Sequence, residues 1–282
     1  KIMEVLEFLD DSGNIIVQRI PENGPAEIKW GAQLTVRENQ DVVFFRDGKA
    51  LDVFGPGRHV LKTQNIPVIS KWVTSFGYGD DSPFRAEVYF IGKQLFANLK
   101  WGTKDPILFR DTELKMIRLR SYGSFSIQIS DSLLFINKVV GTRKKLENSE
   151  IRMYLSSIIV SKLTTILGKE LKSIFDIPAS FDDLNIITRT NLQNDFDGLG
   201  IKIHDFYINS ISVPHEVQEI IDQKSGMAAI GNLDEFMKFK VAMSLEDAAK
   251  NEGGPMGTFL GAGAGLGMGF AMPGVIQQSM GS

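Results

Sequence analysis

Cysteine is absent from all 282 residues. That removes disulfides, thiolate metal sites and cysteine nucleophiles together, and leaves the compartment undecided by disulfide chemistry. Histidine is scarce: His59, His204 and His215 are dispersed, without the i, i+4 pairing of a zinc-binding helix, and read as structural or solvated. Neither sign of charge dominates, because 31 basic against 34 acidic residues leave −3. There is thus no global basic field to hold nucleic acid or anionic lipid, and any such contact has to be local. No Gly-Lys-Ser/Thr occurs, and the glycines between 257 and 269 fall only on odd positions, which excludes G-x-G-x-x-G and disfavours nucleotide binding. No G-x-S-x-G elbow is present. The pairs Asp10-Asp11, Asp80-Asp81 and Asp182-Asp183 read as turn and helix-start chemistry rather than acid/base carboxylates. Arg143-Lys144-Lys145, the densest basic run, reads as a solvated loop. No catalytic, cofactor-binding or metal-ligating residue is assigned, and no cofactor, nucleic acid or small-molecule substrate is expected.

What is present is ample material for a core, with 43% apolar residues. The first half reads as β structure. Residues 42–46 and 49–54 flank Asp47-Gly48, suited to a type I′ hairpin, and 55–57 (GPG) close the unit. Further strands are predicted at 33–37, 68–73, 85–91 and 94–100, with Gly92-Lys93 as a second hairpin turn. The clearest strand is 116–129: Ile117, Leu119, Phe125, Ile127 and Ile129 share one face, Arg118, Arg120, Tyr122, Ser124, Ser126 and Gln128 the other, with Gly123 marking a bulge. The period then becomes helical. Asp131 caps a helix ended by Gly141, Ser149 caps one with a stripe from Ile151 to Ile166 stopped near Gly168, and Ser180 with Asp183 opens a third. A strand over 201–213 and a last helix from Pro214 complete an α+β order, unlike the strict alternation of a nucleotide-binding sheet.

Four stretches give the chain a family likeness: QLTVRENQ at 33–40 running into VVFFRDG at 42–48; DVFGPGRH at 52–59; IRLRSYG at 117–123 through Asp131; and LGIKIHDF at 199–206 through SVPHE at 212–216. With them the chain resembles the SPFH (Band 7) family of stomatin, prohibitin, flotillin and HflK/HflC. Within it the likeness is to the bacterial group labelled SPFH/virion core protein, of the YdjI kind, to which LKWGT at 99–103 and the Gly-rich tail add specificity. Two departures stand out. Ser132 takes the place of a proline common in relatives, and the zinc ribbon that often ends members of this group has no cysteine here, so the tail is expected to be truncated or to have lost it.

The resemblance implies a β-rich SPFH domain with helices on its sheet over 31–213, a helical oligomerisation extension over 214–252, a Gly-rich apolar tail over 253–282, and an N-terminal segment, 1–30, as a membrane-interface element. It implies a non-enzymatic scaffold assembling into rings or cages at the inner face of a bacterial cell membrane, in the cytoplasm, with itself, the membrane surface and membrane-stress proteins as partners. Two alternatives stay open: an enzyme, such as a hydrolase, whose site assembles only in three dimensions, and a soluble adaptor for a membrane protein.

Residues 2–9 are read as an interfacial element because Ile2, Val5, Leu6 and Leu9 would line one helical face, although Glu4 and Glu7 leave a buried first strand equally open. They lack the basic-then-apolar pattern of a signal peptide. Assembly is expected through Met227, Phe236, Met237, Phe239, Val241 and Met243, more apolar surface than one helix face can hide. Leu260, Leu266 and Met268 of the uncharged tail are expected to pack only between copies, beside a bare glycine face.

Overall fold

The computed structural model of the chain describes residues 2–62, 83–230, 238 and 241. Two compact units divide at residue 213/214.

The architecture of the first unit is α+β. Its larger sheet has eight strands: β1 (Ile2–Leu6), β2 (Ile15–Ile20), β3 (Ala26–Val36), β4 (Gln40–Arg46), β5 (Lys49–Phe54), β6 (Gly57–Val60), β7 (Phe84–Gly92) and β11 (Lys145–Glu147). Strands run β1-β3-β7-β2-β11, while β4 joins β7 to β5, and β6 joins β3. The predicted hairpin is present. Asp47 and Gly48 take φ 50° and 76°, the conformation that a type I′ turn requires at both central positions. One face of this sheet forms a core of Leu6, Ile28, Leu34, Val42, Phe44, Phe84 and Phe90. Phe44 sits edge-on to Phe54 at 5.4 Å, and Trp30 lies 4.5 Å from Phe84.

The second sheet has four strands: β8 (Phe96–Gly102), β9 (Ile107–Asp111), β10 (Lys115–Ile129) and β12 (Ile201–Ser212), ordered β12-β10-β8 with β9 on the first half of β10. Strand β10 alternates as its sequence does. The bulge lies where Gly123 predicts it, with a register shift against β12 between Tyr122 and Gly123. Gly92-Lys93 is not a hairpin turn, contrary to the sequence reading. There β7 ends in one sheet and β8 enters the other, and Lys93 bonds elsewhere, its N–H donating to the Asn39 carbonyl at 2.7 Å. The strand expected at 68–73 lies outside the described residues.

Helices line the second sheet. Helix α1 (Ser132–Phe135) starts at Asp131, whose carboxylate accepts the Leu134 N–H at 2.9 Å, and passes into a π turn that Gly141 ends. Helix α2 (Asn148–Glu170) starts earlier than predicted. Its cap is Glu147 rather than Ser149, with the Glu147 N–H donating to the Glu150 carboxylate at 3.0 Å, and it runs two residues past Gly168. Helix α3 (Ile177–Asp197) likewise opens three residues ahead of Ser180, because Pro178 fits its first turn. Helix α2 packs on β8 and β9, and α3 packs on β12 and on α2. They bury Ile151, Leu155, Ile159 and Leu163 from α2, and Leu184, Leu192 and Phe196 from α3. Among the described residues, only α2 is long and apolar enough for a membrane span, and its buried stripe packs it on the protein's own strands.

The described part of the second unit holds helix α4 (His215–Ile230), with Pro214 O accepting the N–H groups of Val217 and Gln218.

Candidate interaction surfaces

Strand β1 forms one edge of the larger sheet and pairs in parallel with β3. Pairing runs Ile2 to Glu27 and Met3 to Ile28, then breaks and resumes as Val5 to Gln33 and Leu6 to Leu34. Opposite the break, Gly31 of β3 takes φ +89°, a left-handed conformation that suits glycine. The irregularity changes which side chains face out, as bulges do. Met3 packs against the core, Glu4 and Val5 both face outward, and Leu6 turns in with no exposure. The helical face expected for Ile2, Val5, Leu6 and Leu9 is therefore replaced by a strand. Leu6 belongs to the core, while Ile2, Val5 and Leu9 remain 50, 57 and 56% exposed. Pairing adds a residue that the sequence pattern does not single out. Gln33 stands between Val5 on β1 and Val60 on β6, so these three side chains share one outer row. The nearby charges are largely matched: Lys29 meets Glu4 at 3.0 Å and Arg85 meets Glu27 at 2.6 Å.

Of the residues expected at an assembly interface, Val241 is helical and 57% exposed. Met227 falls within α4, with its side chain outside the described residues. Phe236, Met237, Phe239, Met243, Leu260, Leu266 and Met268 also lie outside them.

The remaining candidates sit in bonded, dispersed settings. His59 Nε2 is 2.8 Å from the Gly55 carbonyl, His204 Nε2 is 2.9 Å from Gln128 Oε1, and His215 lies 3.5 Å from Glu219 on the surface of α4. No group of three or more metal-binding side chains occurs among the described residues. Asp10 organises a turn, accepting the Ser12 hydroxyl and the N–H groups of Ser12 and Ile15. Burial alone would raise its pKa, but these bonds, the Ser12 hydroxyl foremost, outweigh it and hold the carboxyl below its ordinary value. Asp182 and Asp183 are exposed near the start of α3, and Asp80-Asp81 lies outside the described residues. In the basic run, Lys144 donates to Asn23 at 2.5 Å and Lys145 meets Glu147 at 2.6 Å, a contact that raises the Lys145 pKa. Ser132 donates its hydroxyl to Asp41 at 2.6 Å, and Lys93 meets the same carboxylate at 3.2 Å.

A groove of about 710 Å³ runs between β8 and α2. Arg152 donates to the Lys100 carbonyl at 3.2 Å and Ser156 accepts the Gly102 N–H at 3.4 Å, so one turn of α2 closes the outer edge of β8. The groove's lining includes Ser156, Ser157 and Ser161; the Ser157 hydroxyl donates to the Tyr154 carbonyl at 2.7 Å.

The outer face of the second sheet is a further surface. The period of β10 puts Arg118, Arg120 and Tyr122 on it, and strand pairing adds Lys100, Leu108, Arg110 and Tyr207 from three other strands. Sequence reasoning misses these four, because only pairing register brings them together.

A family model described as SPFH domain-Band 7 family matches residues 17–229, more than half of the chain. The uncharacterized protein YdjI of Bacillus subtilis (strain 168) is 27% identical over 217 residues, covering 76% of this chain and 67% of the relative.

Proposed function

The chain belongs to the SPFH domain-Band 7 family, and on that premise we propose that it is a non-enzymatic scaffold that assembles at the inner face of a bacterial cell membrane and organises membrane or partner proteins there. Membership supports the coarse part, a membrane-associated scaffold role. The observation that carries the finer part is the pairing break that turns Val5 outward in the row of Gln33 and Val60, with Ile2 exposed at the start of the strand and Leu9 just beyond its end.

Magnitudes connect this surface to assembly. Fully burying a Val, Leu or Ile side chain is worth about 1.5–3 kcal/mol, so a half-exposed one gains roughly 1 kcal/mol on entering a membrane interface. Three such side chains, Ile2, Val5 and Leu9, give about 3 kcal/mol, an affinity of only several millimolar for one copy. A single chain would hold the membrane poorly, whereas copies joined in a ring or cage engage it together and gain by avidity. Assembly through the helical extension, 214–252, with Val241 in its exposed part and the glycine-rich tail between copies, supplies that multiplicity. Membrane-stress proteins are the partners this reading favours.

Flotation with phosphatidylethanolamine/phosphatidylglycerol vesicles tests it. The full chain is expected to float, and V5D/L9D to stay at the bottom with an unchanged melting curve. If V5D/L9D floats as well, this surface is not the membrane contact; if the unaltered chain does not float, the membrane reading fails. Deleting residues 227–250 should turn a large native particle into monomers, and an unchanged sedimentation profile would remove assembly through the extension.

A further inference from the structure

We infer that the outer face of the second sheet is a docking surface for an acidic segment of a partner protein, one in which carboxylates are interleaved with apolar side chains. This goes beyond the membrane reading and does not depend on it.

Residues directly opposite in paired strands share a face. Met116 and Arg118 of β10 lie opposite Arg110 and Leu108 of β9. Tyr122 and Ser124 lie opposite Gly102 and Lys100 of β8 and opposite Ser210 and Tyr207 of β12. With Arg120 between, one face presents Arg110, Arg118, Arg120 and Lys100 among Leu108, Met116, Tyr122 and Tyr207. The four last are large side chains, yet each is 56–65% exposed. The opposite face is where Phe125, Ile127 and Ile208 are buried beneath α2 and α3. Among the described residues, none of the four cations forms an ion pair; Arg120 donates only to the Lys104 carbonyl, at 3.4 Å, and Lys100 to Asn98. Among the described residues, neighbouring carboxylates stand at the margins, at Asp105 ahead of β9, Glu113 in the β9–β10 turn and Asp205 on β12.

Four cations gathered on one face of a chain whose net charge is −3 make a local field that selects an anionic partner. The side chains point to protein. Arg, Tyr and Met are the types enriched at protein interfaces and Lys is depleted there, and here three of the four cations are Arg. The guanidinium fork matches a carboxylate with two parallel hydrogen bonds. Along β10 the outward residues Met116, Arg118, Arg120 and Tyr122 recur every second position, about 6.7 Å apart. An extended segment alternating carboxylate and apolar side chains has the same repeat. From Met116 to Ser124 the face is three strands wide, because β9 continues the edge of β10 that β8 occupies further along, and it spans roughly 27 by 14 Å, on the order of 400 Å². That is about half of the ~800 Å² per partner of a standard interface, a size that suits a short segment rather than a whole domain.

The test uses the full chain without lipid and a fluorescein-labelled peptide alternating glutamate with valine, read by fluorescence anisotropy. The glutamate peptide should bind in a salt-sensitive manner, and a glutamine version about tenfold or more weaker. R118E/R120E should lose the glutamate peptide and gain a lysine version, an exchange that a merely structural role would not produce. Should R118E/R120E fail to fold, R118Q alone should weaken the glutamate peptide with an unchanged melt. Y122A/Y207A should weaken both the glutamate and the glutamine peptide. Equal binding of the glutamate and glutamine peptides, or a glutamate affinity untouched by R118E/R120E or R118Q, overturns the inference. So does an Arg118/Arg120 dependence seen with phosphatidylglycerol vesicles and not with the peptide, which would assign the face to lipid. A failure of flotation in the earlier experiment leaves this measurement unaffected.

Discussion

Trp101 donates its indole N–H to the Tyr207 carbonyl at 3.2 Å, across the backbone of Gly123 on the strand between them. The same indole stacks on Phe206 with ring centroids 5.7 Å apart. A Cβ at Gly123 would stand 1.9 Å from the Tyr207 oxygen and 2.7 Å from Trp101 Nε1, so one methyl group would displace both partners and open the bulge. Gly123→Ala is expected to cost about 3 kcal/mol or more in urea denaturation, at the upper end of overpacking effects. Trp101→Phe, which loses the donor and keeps the stack, should cost about 1 kcal/mol. Equal losses for the two would show that the approach of the strands is not the constraint.

Asp111 predicts an acid-sensitive joint. Its buried carboxylate accepts the N–H groups of Ile174 at 2.7 Å, Glu113 at 2.8 Å and Leu114 at 2.9 Å, and the Ser173 hydroxyl at 3.1 Å. Burial alone would raise its pKa, but these donors, the Leu114 N–H foremost, outweigh it and hold the group below the ordinary value of 3.8. The unfolded chain therefore takes up the proton first, and stability falls as pH drops from about 4 through the lower folded value. Asp111→Asn should lose about 2 kcal/mol near neutral pH and show a shallower decline over that window. Parallel acid limbs for the two proteins in urea titrations at stepped pH would refute it.

Neighbouring positions of β1 should respond in opposite ways. Leu6 is fully enclosed, so Leu6→Ala is expected to cost roughly 2–4 kcal/mol of folding stability. Val5 faces outward, and Val5→Ala should stay within about 0.5 kcal/mol. Thermal melts decide it, and a large loss at Val5 would mean that its outward side is covered.

Ser132 separates side-chain from backbone effects. Its buried hydroxyl bonds Asp41, while its position at the first turn of α1 suits proline. Ser132→Ala and Ser132→Pro should each cost about 1–2 kcal/mol and agree within ~0.5 kcal/mol, since both lose the hydroxyl and neither strains the helix. A much larger loss for proline in chemical denaturation would locate the cost in the backbone.

Patterns with a short period are legible in the amino-acid sequence: the alternation of β10, the turn at Asp47-Gly48, and the stripes of α2 and α3. Features that depend on a partner strand are not. Nothing local in residues 2–6 says that pairing breaks opposite Gly31, yet that break decides that Leu6 is core and Val5 is surface. Gly92-Lys93 has the composition of a hairpin turn, and only the competition between two sheets for β7 and β8 makes it a crossing. Glu147 and Ser149 both suit a helix start; the reciprocal bond with Glu150 favours the earlier one. Alternation alone marks Arg118 and Arg120 as an outward pair, whereas Arg110, Lys100 and Tyr207 join them only through register.

The placement of β12 beside β10 bears on the order of events during synthesis. Strand β8 covers one flank of β10 as soon as both have left the ribosome, but the strand for its other flank begins about seventy residues later. At ~5–20 residues per second that flank waits roughly 4–14 s, with the groove over Gly123 unfilled and a row of unpaired backbone groups open to other nascent chains. Helices α2 and α3 emerge within this interval, so they can form locally but have only part of their sheet to pack on. Fragments that stop before Ser212 are accordingly expected to associate through β10, and cells should require chaperone protection during this interval more than after it.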